Sequence, residues 1–357
     1  MLDRKFSVAP MMGRTDRHCR YFLRGFSPRL LLYTEMMTAT ELVHGGAERM
    51  LAFDPEEHPV ALQLGGCDPR ELAAAARIGE AAGYDEINLN CGCPSDRTTG
   101  RLFGAYLMQQ PQSILACVAA MRAAVRVPVT VKLRIGVIEG RGRAAIAASR
   151  RFDEAERTAL HGLVAGVRDA GGEAVIVHAR KAVLGGLSAQ DNREIPPLRY
   201  EAVRELKQAF PDLQVILNGG LREPEAIVEA LATVDGVMLG REAYHRPLIL
   251  AHLEALSARS DVIAAPDRAT VTDLEAVARV RAIERMQRYA QRQLARGENM
   301  LAIVRHMQGL YAGEPGAAEF RRVLNEGARR AGAGPQLLGQ AAASAGGQAP
   351  REALAVS

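Results

Sequence analysis

Residues 86–97 read EINLNCGCPSDR, with Cys91 and Cys93 flanking one glycine and Pro94 directly after the second thiol. Alternation along EINLNC puts Ile87, Leu89 and Cys91 on one face of a strand and Asn88 and Asn90 on the other. The apolar set then faces a hydrophobic layer, and Cys91 reads as a small buried hydrophobe. Cys93 differs. Gly92 and Pro94 end the strand around it, and Asp96 and Arg97 follow, with no apolar neighbours to hide it. It is either a reactive thiol or an ordinary loop thiol, and local spacing leaves both open. No second Cys/His pair stands at zinc spacing, so no metal is expected. The odd count of five cysteines argues for reduced thiols rather than a closed disulfide framework.

Other residues are placed for chemistry in the same way. Lys132 lies in PVTVKL (128–133) and His178 in AVIVHA (174–179), each near the end of a β-branched run. Burying an ammonium without a partner is costly, so Lys132 calls for an anionic cofactor ring or a substrate carboxylate. His178 joins it, or is a satisfied histidine that stabilises its loop. Gln63, in PVALQLG (59–65), offers an amide to the edge of a heterocycle. Asn218, Gly219 and Gly220 close one run, and Gly240 and Arg241 close another. Such glycines let backbone N–H groups approach a phosphate, and the arginine adds a charged contact; the plain alternative is a β-turn.

These residues must be positioned by regular elements. Eight short apolar runs recur: SVAPM (7–11), LLLYTEM (30–36), PVALQLG, EINLNCG, PVTVKL, AVIVHA, QVILNGG (214–220) and GVMLGR (236–241). Helix-compatible stretches such as PRELAAAARIGEAAG separate them, the pattern of parallel βα units. Eight units over roughly 250 residues predict a (β/α)8 TIM barrel, with polar strand ends gathered at its C-terminal mouth. A doubly wound sheet is the alternative, but no GxGxxG follows the first run.

The 357 residues are 48% hydrophobic and 24% charged, ordinary globular usage. Past residue 256 strand signals stop. Between 275 and 330 there are eleven arginines against six glutamates, so the chain's whole excess of +4 lies there. The expected organisation is a barrel over 1–255, a helical domain over 256–335 and a disordered Ala/Gly/Gln-rich tail over 336–357. Residues 137–158 read as a mobile charged loop. No apolar run approaches the roughly 20 residues that span a bilayer, and no signal-type stretch opens the chain, so a cytoplasmic protein is expected.

Taken together, VAPMMGRTDRHCR (8–20), YTEMMT (33–38), EEHPVALQLGG (56–66), YDEINLNCGCPSDR (84–97), VPVTVKLRIG (127–136), VHARKAVLGGLSAQDNREIPPLRY (177–200) and VDGVMLGREAYHRP (234–247) resemble the tRNA-dihydrouridine synthases. The HARKA and NREIPPL segments resemble their A subfamily. The resemblance spans roughly residues 5–330 and implies an FMN-bearing barrel with a C-terminal helical domain. Its implied activity is NADPH-dependent reduction of tRNA uridines at D-loop positions 20 and 20a. By motif it implies FMN contacts from Pro10, Met11, Met12, Gln63, Lys132, His178, Asn218, Gly219, Gly220, Gly240 and Arg241.

Cys93 is implied as the acid that protonates uracil C5 opposite the hydride added at C6. A thiol, with a reference pKa near ~8.5, is mostly protonated at neutral pH and suits that role. Asn90 is implied to orient the base, and Gln190, Arg193, Arg305, Arg321 and Arg322 to meet tRNA. A base inside folded RNA must be extruded first, and basic contacts would offset that cost and make affinity salt-dependent. The chain departs from the family at Val183, where tryptophan is usual, at Gln190, where a lysine is expected, and at Ala318, where an arginine is expected. These changes touch RNA grip rather than chemistry. A monomer that uses no metal and no membrane is expected. The rival readings are an FMN barrel reductase of a small pyrimidine-like substrate and a flavin-free RNA-binding barrel.

Overall fold

The computed structural model describes residues 2–46, 48–94, 103–258 and 268–346, so Asp96 and Arg97 lie outside the described residues. The chain divides into two units, one of residues 1–13 and 29–240, the other of 14–28 and 241–357.

Among the described residues the first unit contains ten strands: β1 (Phe6–Val8), β2 (Leu31–Thr38), β3 (Val60–Gly65), β4 (Glu86–Cys91), β5 (Val129–Arg134), β6 (Val137–Glu139), β7 (Ala174–His178), β8 (Ala182–Leu184), β9 (Gln214–Asn218) and β10 (Gly236–Leu239). Eight of them close a parallel barrel in the order β1, β10, β9, β7, β5, β4, β3, β2. This is the expected TIM barrel, and each apolar run of the sequence contributes one of its strands.

Strands buried on both faces explain why the runs are nearly continuously apolar. Leu31, Tyr33, Ala61, Ile176, Ile216 and Met238 point inward and pack into one cluster with Ala9. The outward face receives the helices. Asp68 caps the helix Pro69–Ala81 by accepting the N–H groups of Arg70 and Glu71, and the helix buries Leu72, Ala75, Ala76 and Gly79, one stripe at 3.6-residue spacing. A Cβ at Gly79 would come within 2.5 Å of Leu62 and 2.9 Å of Ile87. Only glycine permits that approach, and Ile87 is thereby shown on the helix side of β4, as alternation requires.

Three expectations need correction. Residues 137–158 are not a loop: β6 pairs in parallel with β8, Val137 opposite Ala182 and Glu139 opposite Leu184, and the helices Gly142–Ser149 and Glu154–Asp169 follow. Three-residue strands are too short to show a period, and the charges of this stretch concealed them. The segment after 335 is likewise no disordered tail through residue 345. The helix Gln336–Ala345 buries Leu337, Leu338 and Ala341. A Cβ on Gly327 would come within 2.2 Å of Leu337, and one on Gly316 within 1.7 Å of the Ala345 carbonyl. Glycines outside that tail, Gly316 and Gly327, are what let its helix approach.

The boundary also moves. Residues 256 onward were expected to form the helical domain, yet the second unit begins at Arg241 and also takes Arg14–Pro28. Its helices include Arg17–Arg24, Arg241–His245, Ile249–Ala258, Arg268–Leu294, Met300–Val304, Ala317–Ala328 and Gln336–Ala345. Tyr21 of the first stacks on Tyr289 with ring centroids 4.0 Å apart, and His18 Nδ1 lies 2.8 Å from the Tyr289 hydroxyl. These contacts bind an N-terminal helix to a sequence-distant one, which no local pattern reveals.

Candidate active site

The inward face of β4 is entirely polar: Glu86, Asn88 and Asn90, all buried. At the floor of the barrel Glu86 accepts from Arg4 Nε at 2.6 Å, from Thr130 Oγ1 at 2.6 Å and from the Tyr33 hydroxyl. This buried ion pair is tolerable because both charges are hydrogen-bonded. Asn88 continues the column, donating to Thr130 Oγ1 at 2.9 Å and accepting from Gln63 Nε2 at 2.8 Å. Asn90 completes it, donating to Gln63 Oε1 at 3.1 Å and contacting Met36 Sδ.

The column ends at the thiol. Asn90 Oδ1 accepts the N–H of Gly92 at 2.9 Å and of Cys93 at 3.0 Å, and the Cys93 carbonyl accepts from Ala105 N at 2.8 Å. Cys93 is half-buried at the end of β4, whereas Cys91 is sealed on the opposite face, where burial first and Cys117 second push its pKa well up. β4 ends at Cys91, so Cys93 escapes the strand's alternation, and a sealed thiol and a half-buried one stand two residues apart. None of the five cysteines is in a disulfide.

Lys132 and His178 come together at the mouth. Lys132 Nζ donates to Asn218 Oδ1 at 2.9 Å, and Asn218 Nδ2 to the Met238 carbonyl at 2.7 Å, so β5, β9 and β10 share one network. The side chain of Lys132 keeps some exposed surface but sits deep, and burial first, then repulsion from Arg134, push its pKa down to about 7. Burial, reinforced by Arg134 and Lys132, holds His178 well below its ordinary value, so the imidazole is neutral. Its neighbours are cations, which places an anion-seeking field at the mouth.

Beside them lies a glycine cradle. Gly219 and Gly220 have φ of 118° and 71°, and a Cβ on Gly219 would come within 2.6 Å of the His178 ring. Tyr200 fixes the turn by donating to the Gly219 carbonyl at 2.7 Å. Among the described residues no acceptor engages the N–H groups of Gly219, Gly220 or Gly240. Unpaired donors next to a desolvated ammonium are what a phosphate monoester and an anionic ring require, so these residues fit FMN. Pro10 and Met11 are half-buried and Met12 is exposed after β1, and Gly240 follows β10, the strand beside β1. Gln63 is 2% exposed, with its amide engaged by Asn88 and Asn90.

The remaining candidates scatter. Gln190 and Arg193 are exposed around the one-turn helix Asp191–Arg193. Val183 is fully buried and its N–H donates to Asn192 Oδ1 at 2.7 Å, so that departure alters packing and not an RNA-facing surface. In the second unit Arg241 opens a short helix and lowers the pKa of His245 after burial and Arg14. Arg305 is paired with Asp16 and His306, and Arg322 with Glu319 and Glu326 on its own helix. Arg321 is exposed beside them, as is Ala318. Sequence reasoning passed over Arg134, although it stands two residues beyond Lys132 and therefore on the same strand face.

A parallel barrel whose mouth carries an accessible thiol, a desolvated lysine and a glycine cradle defines a cofactor-dependent barrel enzyme. Residues 7–345 match the family model described as dihydrouridine synthase, and the chain belongs to that family. Its members are FMN-dependent tRNA oxidoreductases that take electrons from NADPH.

Among its relatives is a tRNA-dihydrouridine(20/20a) synthase of Xanthomonas campestris pv. campestris, 48% identical over 348 residues, covering 97% of this chain and 95% of the relative. Proteins of the same name from Pseudomonas syringae pv. tomato (49% over 341 residues; 96% and 94% covered) and Synechocystis (47% over 333 residues; 93% and 92% covered) are similar to this chain to about the same degree. The chain is thus an FMN- and NADPH-dependent enzyme that forms dihydrouridine in tRNA.

Proposed function

We propose that this enzyme reduces the D-loop uridines 20 and 20a of tRNA and that Cys93 is the acid of the reaction. The names of the relatives support the positions. The observation that carries the acid role is the mount of Cys93, an accessible thiol held by Asn90 at the end of β4 beside the cations of β5. FMN held there would provide, with electrons from NADPH, the hydride chemistry for uracil C6. Charge then develops over C5 and O4, and the Cys93 thiol delivers its proton to C5 and is left as thiolate.

Lys132, His178, Asn218 and the N–H groups of Gly219, Gly220 and Gly240 are proposed to hold FMN, with Pro10, Met11 and Met12 against it and Arg241 adding charge. Asn90 is already bonded through both ends of its amide, so its contribution to base orientation runs through Cys93 and Gln63. Gln190 and Arg193 are proposed to meet tRNA from the first unit. In the second, Arg321 is the best-placed phosphate contact, while Arg305 and Arg322 must first exchange their carboxylate partners. The enzyme is proposed to act as a cytoplasmic monomer. Among the described residues no helix is long and apolar enough to cross a membrane.

The test is mass mapping of dihydrouridine in tRNA from cells with and without this protein. Loss confined to positions 20 and 20a supports the assignment, and loss at other positions overturns it.

A further inference from the structure

Arg134 follows Lys132 on the inward face of β5 and is 3% exposed. Its hydrogen bonds run to backbone carbonyls of three separate segments. Nε donates to Gly92 O at 3.1 Å, and Nη1 donates to Asn192 O at 2.8 Å and Lys181 O at 3.3 Å. Gly92 belongs to the exit of β4, Lys181 precedes β8, and Asn192 is the buried centre of the turn that bears Arg193. The guanidinium is kept here at a cost: burial, despite the nearby Cys93, lowers its pKa to about 9, and Arg193 and Arg180 repel it. A planar fork with several donors reaches divergent carbonyls, which a point ammonium cannot do.

The backbone polar groups of Gly92 and Cys93 are all engaged. Asn90 takes both N–H groups, Arg134 takes the Gly92 carbonyl, and Ala105 donates to the Cys93 carbonyl. Gly104, with φ of 64°, permits that last contact, since a Cβ there would stand 2.4 Å from the Cys93 oxygen. Two residues so completely tied form a rigid mount.

We propose that Arg134 is a positioning residue that clamps the Gly92–Cys93 exit of β4 to the Lys181–Asn192 segment, fixing the thiol relative to the turn that carries Arg193. The proposal rests on the reading of Cys93 as the acid. It assigns Arg134 no grip on tRNA. Its loss acts through the placement of Sγ, where an error on the order of 1 Å costs about 100-fold in rate.

The experiment compares Arg134→Lys, Arg134→Gln, Cys93→Ala and the parent enzyme, each loaded with FMN. It reads kcat and KM for tRNA, bleaching of the flavin by NADPH, and the rate at which iodoacetamide alkylates Cys93. Both Arg134 variants are expected to lose about 100-fold in kcat with KM nearly unchanged. Flavin bleaching should be retained, and Cys93 should alkylate faster because its mount is loosened. Arg134→Lys keeps the charge and most of the volume, so it carries the test alone should Arg134→Gln fail to hold flavin. Parental kcat in Arg134→Lys, or a defect confined to KM, overturns the clamp. Inactive Cys93→Ala beside normal Arg134→Lys overturns the clamp alone, whereas active Cys93→Ala overturns both it and the acid reading.

Discussion

Asn90 Oδ1 lies 3.0 Å from the backbone nitrogen of Cys93 and accepts its N–H. The same amide donates to Gln63 through its nitrogen, so one side chain joins the polar column of the barrel to the backbone of Cys93. Asn90→Ala would orphan the N–H groups of Gly92 and Cys93 and leave Gln63 Oε1 unpaired. Leaving such groups unsatisfied costs about 1–3 kcal/mol, to be read as a lower urea midpoint. Dihydrouridine formation should fall by on the order of 100-fold while NADPH still bleaches the flavin. Unchanged turnover would show that the mount is dispensable.

The pKa of Lys132 gives a second prediction. With its ammonium pushed down to about 7, the lysine of the unliganded protein is charged below that pH and neutral above it. An anion bound beside it raises its pKa, so binding above pH 7 takes up a proton. FMN affinity should be level below about pH 7 and weaken by up to tenfold per pH unit above it. Calorimetry in buffers of different ionisation enthalpy measures both affinity and proton uptake. A flat affinity from pH 6.5 to 9, without uptake, contradicts this placement of Lys132.

Gly219 tests the cradle. Alanine there must hold φ near 118° and put its Cβ within 2.6 Å of the His178 ring. A strained backbone of this kind costs about 1–3 kcal/mol, and the displaced imidazole closes the mouth. Gly219→Ala should therefore purify with little flavin and regain little on incubation with FMN. A variant that stays fully yellow removes Gly219 from the cofactor site.

The thiols at the end of β4 and just beyond it should differ in reactivity. Cys91 is sealed, with its pKa driven up by burial, whereas Cys93 is half-buried at the mouth. Iodoacetamide applied to the native enzyme, followed by peptide mass mapping, should modify Cys93 and spare Cys91 and Cys117 until denaturant is added. Modification of Cys91 at a comparable rate would mean that the helix layer does not seal it.

Much of the barrel was legible in the sequence because a strand buried on both faces declares itself as an unbroken apolar run, and a polar interruption then marks a site. Asn88 and Asn90 in EINLNC carried that signal, and so did Lys132 in VTVKL. Arg134 carried it as well, since it shares a face with Lys132, but its partners are backbone carbonyls on segments far along the chain, which no spacing encodes. Short elements held by one another escaped for the same reason: β6 and β8 exist only as a pair. Composition misled at Gln336–Ala345, where alanine and glycine permit close packing rather than disorder. The arginine-rich stretch was read correctly as to charge. That Arg305 and Arg322 are already paired is a matter of geometry.

The acid role of Cys93 is tested most directly by single-turnover kinetics of Cys93→Ala loaded with FMN. NADPH should reduce its flavin at the parental rate, because the thiol takes no part in that step. Transfer to tRNA should then slow by at least about 100-fold, the usual worth of a positioned general acid. Reoxidation of that flavin by tRNA at the parental rate, with dihydrouridine formed in equal amount, would contradict the account.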